Sequence, residues 1–520
     1  MADYRTLTAL FRRTAKWYPD ERAFVQTDGE QLYTYDEAND EACRFANALA
    51  DAGVGKGDRI AFLSRARVDH AIGYLGAQKR GAVPTTLHSR ESVGEITAMV
   101  RDADPAALVF QGRFADVAAS IRADVDGIET WLTLEDGTGV PAFADPFSAF
   151  VGSALATEPD VTVDPQDAGA IAFSSGSTGE PKGVVHTHGR LAQSCLLGLY
   201  FYEVRDSDTA LFALSPSFIA WQDQVLSWIA IGATVLFRET FDEAAVLDLI
   251  EDRGVTSLTL VPVHWRRLLD AGLAERDVDS LRVAGYSGAA IGEETLSRLV
   301  DLVPDAVYTA YGSTETLNTV TKLTPERVDP DRPGKLGRPI TAVDVRIVEP
   351  GSRDPSAELD RGEIGEIAMT GPCVATEIWE DEAATERTFA DGWWFSGDLG
   401  RIGDDDNLYL EGRADNMIVS GGINIYPARI ESVLGTHEGV ASVAVVGTPH
   451  EEWGEAVTAC IVPSSDAADL DADALDAWCR SHPDLSDYQR PRRYEFVEEL
   501  PTTGTDKVDY GALRDRFGAQ

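Results

Sequence analysis

Twice along this chain an amphipathic helical pattern gives way to a short apolar run that reads as a buried strand. That alternation restricts the fold more than any other feature of the sequence. In Asp36–Gly53, the residues Ala38, Ala42, Phe45, Ala46 and Leu49 form one apolar stripe, and Gly53 stands where a helix would end. Arg59–Leu63 follows as a strand, Asp69–Lys79 as a second helix closing near Gly81, and Ala82-Val83-Pro84 resumes an extended path. The rhythm returns as helix Phe241–Gly254, strand Ser257–Val261, helix His264–Leu273 and strand Leu281–Gly285. This predicts an α/β fold. The Asp-, Gly- and Pro-rich stretch Glu129–Pro165 reads as connecting structure.

The pattern then changes. Val345–Val348 and Glu366–Met369 predict a small β-rich subdomain. Strands Ala441–Gly447, Val457–Val462 and Arg493–Val497, with a helix over Leu470–Ser481, predict a separate compact α+β unit at the end of the chain. The boundary is expected near Arg413–Asn416, dividing 1–414 from 415–520.

Charge narrows the function. The chain carries 45 Lys and Arg against 87 Asp and Glu, a formal net charge of −42, which excludes a generally basic nucleic-acid surface. So many carboxylates repel one another unless salt screens them, so the protein is expected to work in a very salty cytoplasm, as in a halophile. Only seven of the basic residues are lysines: Lys16, Lys56, Lys79, Lys182, Lys322, Lys335 and Lys507. Against that depletion each retained lysine calls for a reason. Five scattered cysteines with no C-x-x-C pair make a disulfide framework or thiolate zinc site unexpected. No apolar run approaches a membrane span and the N-terminus lacks a signal-peptide pattern, so a cytoplasmic location is expected.

The strongest local feature is FSSGSTGEPKG, Phe173–Gly183. Ser174, Ser175, Ser177 and Thr178 surround Gly176 and Gly179, and Lys182 follows. Exposed backbone N–H groups, hydroxyl donors and one cation are the parts of a phosphate cradle. The spacing is not that of the nucleotide loop G-x-x-x-x-G-K-S/T, and by composition alone a Gly/Ser turn between two strands fits as well.

Further segments carry a resemblance: YGSTET (Tyr311–Thr316), WFSGDLG (Trp394–Gly400), GRADNMIVSGGINIYPARIE (Gly412–Glu431) and LPTTGTDKVDY (Leu500–Tyr510). Together with the phosphate loop and the early Thr34–Leu63 stretch, they resemble the AMP-forming adenylate-forming enzymes, and the benzoate-type aryl-CoA ligases in particular. The resemblance implies a large multi-subdomain N-terminal domain and a small mobile α+β C-terminal domain. It implies ATP, Mg²⁺ and the cosubstrate CoA acting on a small-molecule carboxylate. The carboxylate would be activated as an acyl-adenylate and then transferred to a thiol.

By the same resemblance, Thr314 touches the α-phosphate, Glu315 holds Mg²⁺, and Tyr311 stacks on adenine. Asp398 takes the ribose hydroxyls beside Arg413, a role a two-oxygen acceptor and a fixed donor fork suit. Lys507 enters from the small domain to drive adenylation, Asp415 is the hinge, and Gly421 and Gly422 border the CoA channel. Asp506 stands where the family has glycine, Asn416 where it has an acid, and Tyr510 where it often has a basic residue. Phe218, Ile219, Trp221, Tyr286, Gly288 and Ala289 are expected to shape the acyl pocket, with Ile219 near the place of a family histidine. Read singly, these apolar residues fit core packing equally well, and the His186–His188 pair fits packing better than a metal site. Loading a carrier-protein thiol and non-catalytic ligand binding stay open as alternatives. A homodimer is expected only as the commonest oligomer.

Overall fold

The computed structural model describes residues 5–518 apart from 30, 153, 175–180, 290, 318–319, 333, 465–466, 468–469, 483–484 and 504–507. The anticipated alternation is present. A helix spans Tyr35–Asp51, capped by Thr34 and Glu37 acting reciprocally, and strand Arg59–Leu63 follows it. The second helix, Val68–Arg80, ends on Gly81 at φ 75°, the left-handed conformation glycine adopts without strain. It is buried along nearly its whole length because it lies between two sheets rather than on a surface.

The first sheet runs, edge to edge, through Asp145–Pro146, Thr130–Leu134, Ala107–Gln111, Arg59–Leu63, Val83–Thr86, Ala168–Ser174 and Lys182–Thr187. Every described neighbouring pair is parallel except the last, an antiparallel hairpin. The stretch Glu129–Pro165 is therefore not merely connecting structure. Its Trp131-Leu132-Thr133-Leu134 run is buried and pairs along Ala107–Gln111. The flanking Asp and Gly residues masked a five-residue strand.

The second sheet has a parallel centre of Thr234–Phe237, Thr209–Phe212, Ser257–Leu260, Val283–Tyr286 and Val307–Tyr311. It continues antiparallel through Thr321–Leu323 and Lys335–Pro339 into Leu408–Arg413, Trp393–Ile402, Gly365–Thr370 and Asp344–Val348. Leu408–Arg413 is the last strand of that sheet in chain order, a short turn Ala414–Asn416 follows, and Ile418–Ser420 is the first strand of a third, smaller sheet. That sheet pairs Val440–His450 with Gly454–Pro463 and adds Arg493–Phe496, with helices Pro427–Gly435 and Ala472–Ser481 packed on it. A large α/β N-terminal domain is thus joined to a smaller α+β C-terminal one. No described helix is long and apolar enough to cross a membrane.

Candidate active site

Ser174 and Lys182 are directly paired at the loop end of the hairpin formed by Ala168–Ser174 and Lys182–Thr187. Ser175, Gly176, Ser177, Thr178 and Gly179 lie outside the described residues. The strand pairing brings the two ends of the Gly/Ser segment together at the carboxyl edge of a parallel sheet, where α/β proteins bind ligands.

The other lysines show how sparingly this chain uses that side chain. Lys56 pairs with Asp167 at 2.6 Å, Lys79 with Glu158 at 2.7 Å, and Lys322 and Lys335 with Glu203 and Asp405 at 3.3 Å each. Lys16 lies over the Trp17 ring. Among the described residues, no carboxylate stands within ion-pair reach of Lys182. Lys507 lies outside the described residues.

The Tyr311–Thr316 motif comes to the same place. Strand Val307–Tyr311 ends in a turn, Thr314–Thr316, held by the Thr316 hydroxyl accepting from the Ser313 N–H at 2.9 Å. His186, on the hairpin strand, donates its Nε2–H to the Thr314 carbonyl at 3.0 Å. Burial pushes that imidazole down to about 3, so it stays neutral, and the carbonyl fixes its tautomer. His188 is also buried, and burial holds it down at about 4. Both histidines are therefore packing elements, as their pattern suggested. Among the described residues no group of three or more His, Cys, Asp or Glu side chains gathers at metal-binding spacing.

Glu315 accepts from the Ser313 hydroxyl through one oxygen, and its backbone carbonyl accepts from the Ala375 N–H at 2.7 Å. The stretch from Ala375 then laces back to the hairpin, Trp379 N–H donating to the Gly183 carbonyl at 2.7 Å and Val185 N–H to that of Glu377 at 3.1 Å. The Glu315 carboxylate would suit Mg²⁺, a hard cation that takes oxygen ligands.

Beyond it runs a chain of polar contacts. The Tyr311 hydroxyl donates to Asp398 Oδ2, Arg413 Nη1 donates to Asp398 Oδ1 at 2.7 Å, and Arg413 Nη2 reaches Asp415 at 3.2 Å. Asp398 and Arg413 face each other across paired strands. Burial and the neighbouring Asp398 raise the Tyr311 phenol well above its usual range. Its ring is only 8 % exposed and shares a cluster with Val184 and Val320. Each Asp398 oxygen keeps a lone pair beyond its protein partner, enough to accept two hydroxyls.

The expected acyl-pocket residues divide. Phe218 and Ile219 are half-buried, Tyr286 is buried at a strand end, and Gly288 and Ala289 are exposed beside it. Trp221 is a correction. It is 1 % exposed and ringed by His70, Tyr74, Phe212 and Phe237 at centroid distances of 4.8–5.8 Å, so it underlies the site as core instead of lining it. In the small domain Gly421 and Gly422 form the tip of a two-residue hairpin between Ile418–Ser420 and Ile423–Ile425, with φ of 58° and 81°. Two consecutive positive φ values are what such a turn demands, so backbone geometry alone accounts for both glycines.

Three features escaped the sequence reading. Arg65, Arg113 and Arg90 follow the strands ending at Leu63, Gln111 and Thr86, on the same carboxyl edge as Ser174. Burial, with the positive charges of Arg113 and Arg90, lowers the Arg65 pKa against the opposing pull of Glu239, which also pairs with Arg113 at 3.6 Å. Glu431 accepts the Tyr510 hydroxyl at 2.9 Å and the Val445 N–H at 2.7 Å, and burial raises it to about 7. Glu366 is 3 % exposed beneath Asp398. The only sequence signal for Glu366 was an acid inside the otherwise apolar Gly365–Met369 run.

Known proteins match this geometry over nearly the whole chain. The AMP-binding enzyme family matches residues 11–379, and the AMP-binding enzyme C-terminal domain matches 429–507. A feruloyl-CoA synthase of Amycolatopsis sp is 33 % identical over 508 residues, covering 97 % of this chain and 98 % of that protein. The fatty acid–[acyl-carrier-protein] ligase ScoC of Streptomyces coeruleorubidus is 32 % identical, covering 95 % and 93 %. ATP-bound MatB from Rhodopseudomonas palustris superposes with a TM-score of 0.88 at 27 % identity, covering 99 % of both chains. The hairpin is bonded to the Thr314–Glu315 turn through His186, and the strand leading into that turn to the Asp398–Arg413 pair through Tyr311; the chain belongs to the AMP-binding enzymes, the superfamily of AMP-forming acyl- and aryl-CoA ligases.

Proposed function

We propose that this protein is an ATP-dependent acyl- or aryl-CoA ligase. A carboxylate oxygen attacks the α-phosphorus of ATP, the bond to pyrophosphate breaks, and an acyl-adenylate remains. The CoA thiolate then attacks the acyl carbonyl and AMP leaves. Aligning two anions and shielding their charge is the main task of such a site. The observation that carries the reading is the hydrogen bond from His186 to Thr314, which clamps the phosphate hairpin to the turn bearing Thr314 and Glu315.

In this reading the Ser174–Lys182 segment receives the β- and γ-phosphates, Thr314 meets the α-phosphate, and Glu315 holds Mg²⁺. Asp398 accepts the ribose hydroxyls while Arg413 holds it in place. Lys507 brings its ammonium to the α-phosphate and carboxylate, and residues 415–520 turn about Asp415 between the two half-reactions. Phe218, Ile219, Tyr286, Gly288 and Ala289 surround an apolar carboxylate, and likeness to the feruloyl-CoA synthase favours an aromatic one. The high negative charge suits a halophilic cytoplasm.

CoA is favoured as acceptor by the three arginines beside the phosphate hairpin. Its nucleotide carries several phosphate charges outside the pantetheine arm, and a guanidinium cluster in so acidic a chain matches them. A carrier protein offers only the arm's single phosphodiester there. The likeness to ScoC supports that second reading. The test is AMP release at high salt with benzoates, cinnamates, phenylacetates and fatty acids, offering CoA or holo-carrier protein as acceptor. Carboxylate-dependent ATP–pyrophosphate exchange is expected with at least one acid, and thioester formation with CoA. Absence of exchange across the panel refutes the enzyme reading, and thioester formation on the carrier alone refutes CoA.

A further inference from the structure

Asp398 is aimed by an irregularity in its strand. Glu366 pairs with Leu399 and Ala368 with Phe395, so only Ile367 on one strand faces Ser396, Gly397 and Asp398 on the other. Such a bulge breaks the ladder and re-aims side chains, leaving backbone donors to be satisfied in other ways. Side chains satisfy them here. The Ser396 hydroxyl donates to the Ile367 carbonyl at 2.7 Å and accepts from the Asp398 N–H at 3.0 Å. Glu366 Oε1 accepts from the Gly397 N–H at 3.0 Å.

The carboxylate of Glu366 is fully engaged. Its Oε2 accepts from the Gly351 N–H at 3.1 Å, and Arg353 Nη1 lies 3.3 Å from each oxygen. Gly397 itself sits at φ 69°, where a Cβ would come within 3.1 Å of Arg413 Nη2. The bulge, its glycine and the guanidinium that grips Asp398 therefore form one rigid unit, with Glu366 beneath it.

We propose that Glu366 is a positioning residue for nucleotide selection: by holding the Gly397 N–H inside the bulge it fixes Asp398 where its free lone pairs meet the ribose hydroxyls. This rests on the ribose role assigned to Asp398 above. Glutamate suits the task because two N–H donors approach its two oxygens. Glutamine presents one oxygen and turns an NH₂ toward the other donor, and aspartate is one methylene too short.

The test is carboxylate-dependent ATP–pyrophosphate exchange by the full-length protein with ATP, 2′-deoxy-ATP and 3′-deoxy-ATP. A site built to bond a hydroxyl rejects the analogue lacking it. Glu366→Gln and Glu366→Asp are expected to reduce the preference for ATP about tenfold, the scale of one charge-assisted hydrogen bond. The KM for the carboxylate is expected to stay unchanged. Asp398→Asn serves as the reference and should abolish the preference. If Glu366→Gln does not fold, Glu366→Asp, which keeps the charge opposite Arg353, decides alone. An intact preference in the folded Glu366 variant while Asp398→Asn loses it overturns the proposal. An equal loss with all three nucleotides, or a raised carboxylate KM, does so too, since either marks a general structural role. An intact preference in Asp398→Asn removes the ribose assignment itself.

Discussion

Replacing His186 by leucine separates two effects that pH drives in opposite directions. At neutral pH the imidazole donates to the Thr314 carbonyl, and its Nδ1 has no partner among the described residues to lose. Leucine fills a similar volume but leaves that carbonyl unpaired, a loss of about 1–3 kcal/mol. Acid acts the other way. Burial holds His186 at about 3 instead of 6.5, so the unfolded chain takes up a proton that the folded one refuses. This contribution is complete above about pH 6.5 and is lost as pH falls toward the folded value. By that linkage the wild-type protein forfeits about 1 kcal/mol at pH 5.5 and about 3 kcal/mol at pH 4.5 through this side chain, and the leucine variant forfeits none of it. The stability gap is therefore expected to close near pH 5 and reverse below it. Urea unfolding at constant high salt from pH 7.5 to 4.5, followed by tryptophan fluorescence, measures it. Two parallel stability–pH curves would refute the reasoning, because they would mean that the imidazole is protonated in the fold or not buried.

Other expectations concern separate parts of the molecule. Lys507→Ala should lower pyrophosphate exchange by two or more orders of magnitude with the thermal midpoint nearly unchanged, and unaltered exchange contradicts its adenylation role. Glu431 is raised from 4.5 to about 7, so its neutral form stabilises the fold at low pH and that contribution is lost as pH rises through 7. Glu431→Gln, which keeps an oxygen for Tyr510 and Val445, should therefore gain on the wild type by about 1–2 kcal/mol between pH 5 and 8.5, after allowance for solvent reaching this half-buried group. Denaturation across that range checks the sign. With a net charge of −42, the midpoint should rise steadily as KCl is raised from 0.1 M to molar levels, and a flat response would count against the salt-adapted reading. Converting Arg65 and Arg113 to serine should raise the KM for CoA while leaving pyrophosphate exchange intact, and an unchanged KM removes the nucleotide-end contact.

The sequence alone determined the α/β alternation, the β-rich segment, the separate C-terminal unit and the family to which the motif segments point, because each is written locally. A helix stripe, a strand run and a Gly/Ser/Lys loop depend on residues only a few positions apart. Element ends shifted by one to three residues, as with helices Tyr35–Asp51 and Pro262–Asp270, and Thr130–Leu134 was hidden by its Asp- and Gly-rich flanks. Tertiary structure decided the rest. Trp221 reads the same whether it lines a pocket or fills a core, and only the rings packed around it from distant segments settle that. Arg65, Arg90 and Arg113 share one edge because strand order places three parallel carboxyl ends side by side, an order that no local pattern encodes. The aim of Asp398 depends on a bulge, and a bulge exists only in the register between two strands, here with Glu366 on the facing one.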